Sequence, residues 1–185
     1  MMKTQQILTA LSVILLSACV SKTLSPEDLK KQAAAKARVE LGISYLYQGD
    51  TAQAKLNLDK ALAHAPNYYL VHSGLAYYYQ ARGDVEKAEQ AYQTAIKLDN
   101  TQGDTYNNYG TFLCSQGKFE QSYAQFQRAL KAPNYYRQAD TLENFAICAL
   151  SAKNTALYEQ NLAELTKVDS ARAEKLKKTV ATTQK

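Results

Sequence analysis

Two histidines, three cysteines and scattered carboxylates are the side chains here that would have to bind a metal, attack a carbonyl or move a proton. His64 and His72 have no cysteine or carboxylate cluster at metal-ligand spacing, and His64 falls at a helix end where its ordinary partner is the helix dipole. Asp140 and Glu143 are three residues apart, but they belong to an open face without the apolar enclosure that tunes an acid. The glycines at 42, 49, 74, 83, 103, 110 and 117 build no phosphate loop. Cys114 and Cys148 are too far apart in sequence for a Cys-x-x-Cys redox motif. The expectation is a protein without catalysis, metal, cofactor or small-molecule substrate.

Cys19 implies a different chemistry. Met1-Met2-Lys3 gives a short basic start, and Ile7 to Leu16 is an apolar run broken only by Thr9 and Ser12. Such a run matches a signal-peptide core and is too short to span a hydrocarbon layer of ~30 Å. It ends in Leu16-Ser17-Ala18-Cys19 and turns polar at Ser21-Lys22. This resembles a bacterial lipobox, whose cysteine is diacylated on sulfur, becomes the first residue after cleavage and is then acylated on nitrogen. The reading predicts a signal peptide over 1–18 and a lipidated tether over 19–24. Val20-Ser21 in place of an aspartate after the cysteine predicts outer-membrane anchorage facing the periplasm in a Gram-negative host. Several acyl chains on one residue hold a protein lastingly where a single chain does not. An ordinary signal peptide is the alternative.

Loss of residues 1–18 removes only Lys3 and leaves 21 basic against 17 acidic side chains, an excess too small to point to nucleic acid. It gathers at the end, where Arg172, Lys175, Lys177, Lys178 and Lys185 face only Glu174. Residues 172–185 therefore read as a basic, solvated helix end or tail, with contact to an anionic partner as the alternative.

The elements that carry these residues follow from a repeat of period 34. Leu41, Leu75 and Tyr109 are in phase, as are Gly42, Ala76 and Gly110, and then Gly49, Gly83 and Gly117. Beyond each turn glycine, Ala54, Ala88 and Ser122 share a small position, Leu58, Tyr92 and Phe126 a large one, and Ala61, Ala95 and Ala129 a second small one. Agreement in volume as well as polarity is the mark of the tetratricopeptide (TPR) repeat, a pair of antiparallel helices stacked into a right-handed solenoid. The predicted fold is all-α, with a TPR domain over 25–171 and repeats at 35–68, 69–102, 103–136 and 139–171. The fourth is offset by 36, which places a two-residue insertion in 132–138. Its turn carries Lys153-Asn154, and asparagine is expected to take the left-handed position there. Ser25-Pro26-Glu27-Asp28 predicts the start of a long first helix.

In such a stack the first helices of each pair line a concave face. By phase its residues are Lys36, Val39, Ile43 and Tyr47, then Ser73, Tyr77 and Gln80, then Asp104, Asn107 and Thr111, and finally Asp140, Glu143 and Ile147. The set is aromatic early and polar to acidic late, without the Lys/Arg cluster that captures an acidic carboxyl terminus. It predicts a groove for an extended or helical segment, with tyrosines as anchors and Asn107 meeting main-chain groups. Tyr45, Tyr79, Tyr92 and Tyr109 fall at core positions, while Tyr68, Tyr69, Tyr135 and Tyr136 fall in loops between repeats.

With Cys19 assigned to lipid, repeat phase puts Cys114 and Cys148 on successive first helices, where an exported chain would form a disulfide. Two small buried hydrophobes are the alternative.

The lipobox ahead of TPR repeats, the segment Asn107-Asn108-Tyr109-Gly110-Thr111-Phe112-Leu113-Cys114-Ser115-Gln116-Gly117, and Glu143-Asn144-Phe145-Ala146-Ile147-Cys148-Ala149-Leu150 resemble the type IV pilus biogenesis/stability lipoproteins of the PilW/PilF kind. The resemblance implies an outer-membrane lipoprotein that supports assembly of the secretin pore or stability of the pilus. Its implied partners are the secretin or other pilus components. The runner-up is an envelope TPR adaptor for cell-wall synthases or outer-membrane protein insertion.

Overall fold

Nine helices form the computed structural model, which describes residues 24–183; Cys19 and the signal segment lie outside the described residues. They are α1 (Pro26–Tyr47), α2 (Thr51–His64), α3 (Tyr69–Ala81), α4 (Val85–Leu98), α5 (Gly103–Ser115), α6 (Phe119–Lys131), α7 (Gln138–Ser151), α8 (Thr155–Val168) and α9 (Ser170–Thr183). The first eight pair as hairpins, and each even-numbered helix also packs on the odd-numbered helix that follows. No helix among the described residues is long and apolar enough to cross a membrane.

Local chemistry sets the boundaries. Ser25 Oγ accepts from the Asp28 amide at 3.1 Å while the Asp28 carboxylate accepts from the Ser25 amide, so two of the free donors at the head of α1 are satisfied. Gly49, Gly83 and Gly117 take φ of 79°, 73° and 71° in the three regular turns. In the fourth turn Lys153, not Asn154, takes the left-handed position, with φ 58°. Asn154 is instead the N-cap of α8, accepting from the Leu157 amide at 3.1 Å. The expectation of asparagine in that place is corrected by one residue: the chain uses asparagine for its capping oxygen and leaves the backbone penalty to lysine.

The repeat positions do the packing their volumes imply. Ala54, Ala88, Ser122, Ala61, Ala95 and Ala129 are fully buried, and Leu58, Tyr92 and Phe126 fill the crossings between them. A Cβ on Gly110 would lie 2.7 Å from the Phe126 ring, so only glycine admits that ring. Tyr92 stacks on Tyr109 with centroids 5.2 Å apart.

The insertion before α7 has its own anchor. Tyr135 folds back over Gly103, where a Cβ would collide with its ring, and its hydroxyl shares a 2.8 Å hydrogen bond with Thr141 Oγ1. Tyr135 is therefore buried rather than displayed, and its neighbour Tyr136 is 87% exposed. Of the helix end or tail expected at the basic end, the structure has the helix, docked on the last repeat rather than wholly solvated. It is α9, whose Ala173 and Leu176 are buried against Leu142, Leu162 and Leu165 of the last repeat.

Candidate functional site

The odd-numbered helices do not approach one another evenly. α1 lies against α3 and α5 against α7, while α3 and α5 are less closely apposed, bridged by a 3.1 Å hydrogen bond between Ser73 Oγ and Thr105 Oγ1. A concave groove of about 460 Å³ opens over that junction. Tyr47, Tyr77, Gln80, Asn107, Thr111, Asp140 and Glu143 line it, as phase predicts, together with Tyr92, Asn108, Arg137 and Asn144.

Six predicted positions do not line the groove. Val39 is 4% exposed and packs in the first apolar cluster, where it meets Gly74 across the α1–α3 seam. Ile43 is partly buried against the same cluster. Lys36 is out on the surface, 3.9 Å from Glu40, and Ser73 is occupied with Thr105. Asp104 binds Arg137 at 2.9 Å, and Ile147 is an exposed residue beyond the lining. Asn107 is a partial correction. It lines the groove but is 4% exposed rather than solvent-facing, because Oδ1 accepts from Asn144 Nδ2 at 3.1 Å across the α5–α7 seam.

The residues that phase missed have identifiable origins. Tyr92 belongs to a second helix, and its phenol reaches through to donate to Gln80 Oε1 at 3.1 Å. Arg137 sits in the insertion, where phase is undefined, and Asn144 precedes the in-phase Phe145. The doublet Asn107-Asn108 was a usable signal for the polar middle of the groove.

At the early end, Tyr77 Oη donates to Tyr47 Oη at 3.4 Å, with ring centroids 6.1 Å apart and tilted by 54°. That bond and then burial push the Tyr77 hydroxyl up to about 12, so it stays a neutral donor at physiological pH. Tyr47 is 76% exposed and offers a ring face. At the late end the charges alternate. Arg137 donates to Asp104 at 2.9 Å and Asp140 at 2.6 Å, and Arg172 of α9 binds Asp140 and lies 3.7 Å from Glu143 and 3.5 Å from Asp169. Behind the groove a disulfide joins Cys114 to Cys148, with Cα atoms 5.8 Å apart. Among the described residues no group of three or more His, Cys, Asp or Glu side chains has the arrangement to hold a metal ion.

The tetratricopeptide repeat family model matches residues 39–104, spanning the first two repeats. An uncharacterised protein of Haemophilus influenzae is 53% identical over 171 residues, covering 92% of this chain and 94% of its own. The chain carries tetratricopeptide repeats and their fold. This TPR protein is also 32% identical over 129 residues to the type IV pilus assembly protein PilF of Pseudomonas aeruginosa, a match that covers 70% of the chain but only 51% of PilF. The solved PilF structure superposes with a TM-score of 0.70 at 28% identity, covering 76% of this chain and 64% of that one. The crystal structure of PilW, described as a widely conserved type IV pilus biogenesis factor, superposes at 0.66 with 26% identity over 72% of this chain and 61% of PilW. The chain spans about half the length of PilF and is related to both proteins in sequence and structure. TPR folds of this kind are generally protein-interaction scaffolds.

Proposed function

We propose that the protein is an outer-membrane TPR lipoprotein, anchored at Cys19 and facing the periplasm, that holds a polypeptide segment of the type IV pilus machinery and supports secretin assembly or localisation. The observation that supports it is the groove at the α3–α5 junction, set on a scaffold related to PilF and PilW. Aromatic faces, side-chain amides and a hydroxyl along one trough suit an extended chain, whose main-chain groups need partners along its whole length.

Photo-crosslinking residues introduced at positions 47 and 111 in living cells test the site and the partner together. The expected result is an adduct with the secretin or another pilus component in the outer-membrane fraction, reduced by Tyr77→Ala. Adducts with cell-wall synthases or outer-membrane insertion subunits alone would replace this reading with an envelope-adaptor role. Cys19→Ala should release or strand the protein. An unmodified mature terminus by mass spectrometry, with unchanged outer-membrane fractionation, overturns the anchor.

A further inference from the structure

We infer that the groove selects an internal segment of its partner, carrying an apolar or aromatic side chain for the Tyr47–Tyr77 end and a cationic side chain for the Glu143 end. The inference rests on the polypeptide-binding reading above and deepens it.

Two arginines beside a peptide groove would ordinarily grip a terminal carboxylate. Here both are committed. Arg137 spends Nη1 on Asp104 and Nε on Asp140, while Arg172 is divided among Asp140, Glu143 and Asp169. The result is a ladder across the heads of α5, α7 and α9 in which four carboxylates surround two guanidiniums. Glu143 has the weakest share, with Arg172 at 3.7 Å, and it is one of the groove-lining members. Lys175 shares the cleft of Asp140, Glu143, Asp169 and Arg172, so three cations stand against four carboxylates. A ligand carboxylate would still meet a negative balance there, whereas a lysine or arginine side chain would find in Glu143 an acceptor with spare capacity.

The other end is uncharged. Tyr47, Tyr77 and Gln80 of α1 and α3 line it with Tyr92, and the Tyr47 and Tyr77 hydroxyls face each other, which leaves ring surface as what the pair offers. The middle supplies an observation independent of the acids. Asn107, nine-tenths buried and still lining the groove, has its Oδ1 filled by Asn144, but its Nδ2 has only a long 3.4 Å contact with Asn108 Oδ1. That amide is placed to donate to a main-chain carbonyl of a segment lying in the trough. Two intervals between helices separate α3 from α7, at least roughly 16–20 Å because α3 and α5 are the less closely apposed pair, so the two selected side chains stand about six extended residues apart.

The test uses the full chain and fluorescent, amide-capped nonapeptide pools. Each pool fixes phenylalanine and, six positions away in either direction, arginine, glutamine or glutamate, the other positions being randomised. At low salt, arginine pools should bind about fivefold or more tighter than glutamate pools, with the gap shrinking as ionic strength rises. Glu143→Gln should remove most of that preference and Glu143→Lys should reverse it, both with unchanged helicity. Pools with a free carboxyl terminus should bind no better than capped ones. Equal or tighter binding of glutamate pools, a preference that survives Glu143→Gln, or a marked gain from a free carboxylate would each overturn the selectivity while leaving the groove as a peptide site. Failure of every pool to bind would overturn the peptide-site reading itself.

Discussion

Reduction of Cys114–Cys148 is the perturbation with the most local consequence. The bond closes a loop across a sequence separation of 34 residues. In the chain-entropy account, a closure of that length removes about 3.8 kcal/mol of unfolded-state freedom at 25 °C. A loss of this size in a domain near 160 residues corresponds to a fall in Tm of roughly 8 to 15 °C. Solenoid repeats are stabilised mainly by their neighbours, so the loss should not spread evenly. Beside the disulfide, the α5–α7 seam is held by Asn144 on the buried Asn107 and by the accessible pair of Arg137 and Asp104. Hydrogen exchange read by mass spectrometry, on oxidised and reduced protein of the same sequence, should therefore show α7–α9 losing protection while α1–α4 change little. A Tm shift below about 2 °C, or equal loss of protection throughout, would refute the argument. Recovery of both cysteines as free thiols from envelope protein blocked before lysis would refute the bond.

Lys153→Gly should stabilise the protein by about 1 kcal/mol in urea unfolding, because glycine relieves the left-handed turn that Lys153 occupies at φ 58°. Gly103→Ala should destabilise it by about 1–3 kcal/mol and expose Tyr135 to solvent, since the new methyl group takes the space of that ring. Burial pushes the Asp140 carboxyl up, but bonds from Arg172 and Arg137 outweigh burial and hold its pKa below the usual carboxylate value. A lowered folded pKa means stability present above the unfolded value of ~3.9 and lost as pH falls through the folded one. On acidification below about pH 4, exchange protection should therefore fall in α9 before α1–α4, and Asp140→Asn should weaken α9 at neutral pH and flatten its acid dependence.

The repeat was legible because its signal is volumetric. Ala54, Leu58 and Ala61, with their counterparts 34 and 68 residues on, must fit one crossing geometry, and helix order, hairpin pairing and core membership follow from that. The concave face was legible only to the resolution of a helix phase. Val39 and Tyr47 are eight residues apart on α1, yet one is wedged under Gly74 and the other is exposed, because the close approach of α3 covers part of the phase-assigned stripe. Arg137 escaped for a different reason. It lies where the period slips, and its place in the groove depends on Tyr135 pinning the insertion to Gly103. Arg172 reads from sequence as part of a solvated helix end or tail because its partners Asp140 and Glu143 are 32 and 29 residues upstream, and a charge count along the sequence cannot join them.

These placements give the groove two banks of unequal construction. The bank formed by α5, α7 and α9 is joined by a disulfide, an amide pair, an ion ladder and a ring wedged on a glycine. The α1–α3 bank is held mainly by apolar packing around Val39, Leu58 and Gly74. Between the banks α3 and α5 are less closely apposed, with the Ser73–Thr105 hydrogen bond across them and one apolar cluster continuing beneath from Val39 to Leu113. A bound segment must order itself, and a preorganised bank lowers the additional ordering demanded of the protein. The polar contacts that require exact direction, from Asn107, Asn108 and Glu143, all belong to the stapled bank, while the tyrosine faces, which tolerate small displacements, belong to the other. Loosening the α5–α7 seam should therefore weaken partner binding even though neither cysteine lines the groove. Truncating Tyr47 should instead weaken binding without lowering the melting temperature, since its exposed ring contributes little to the core.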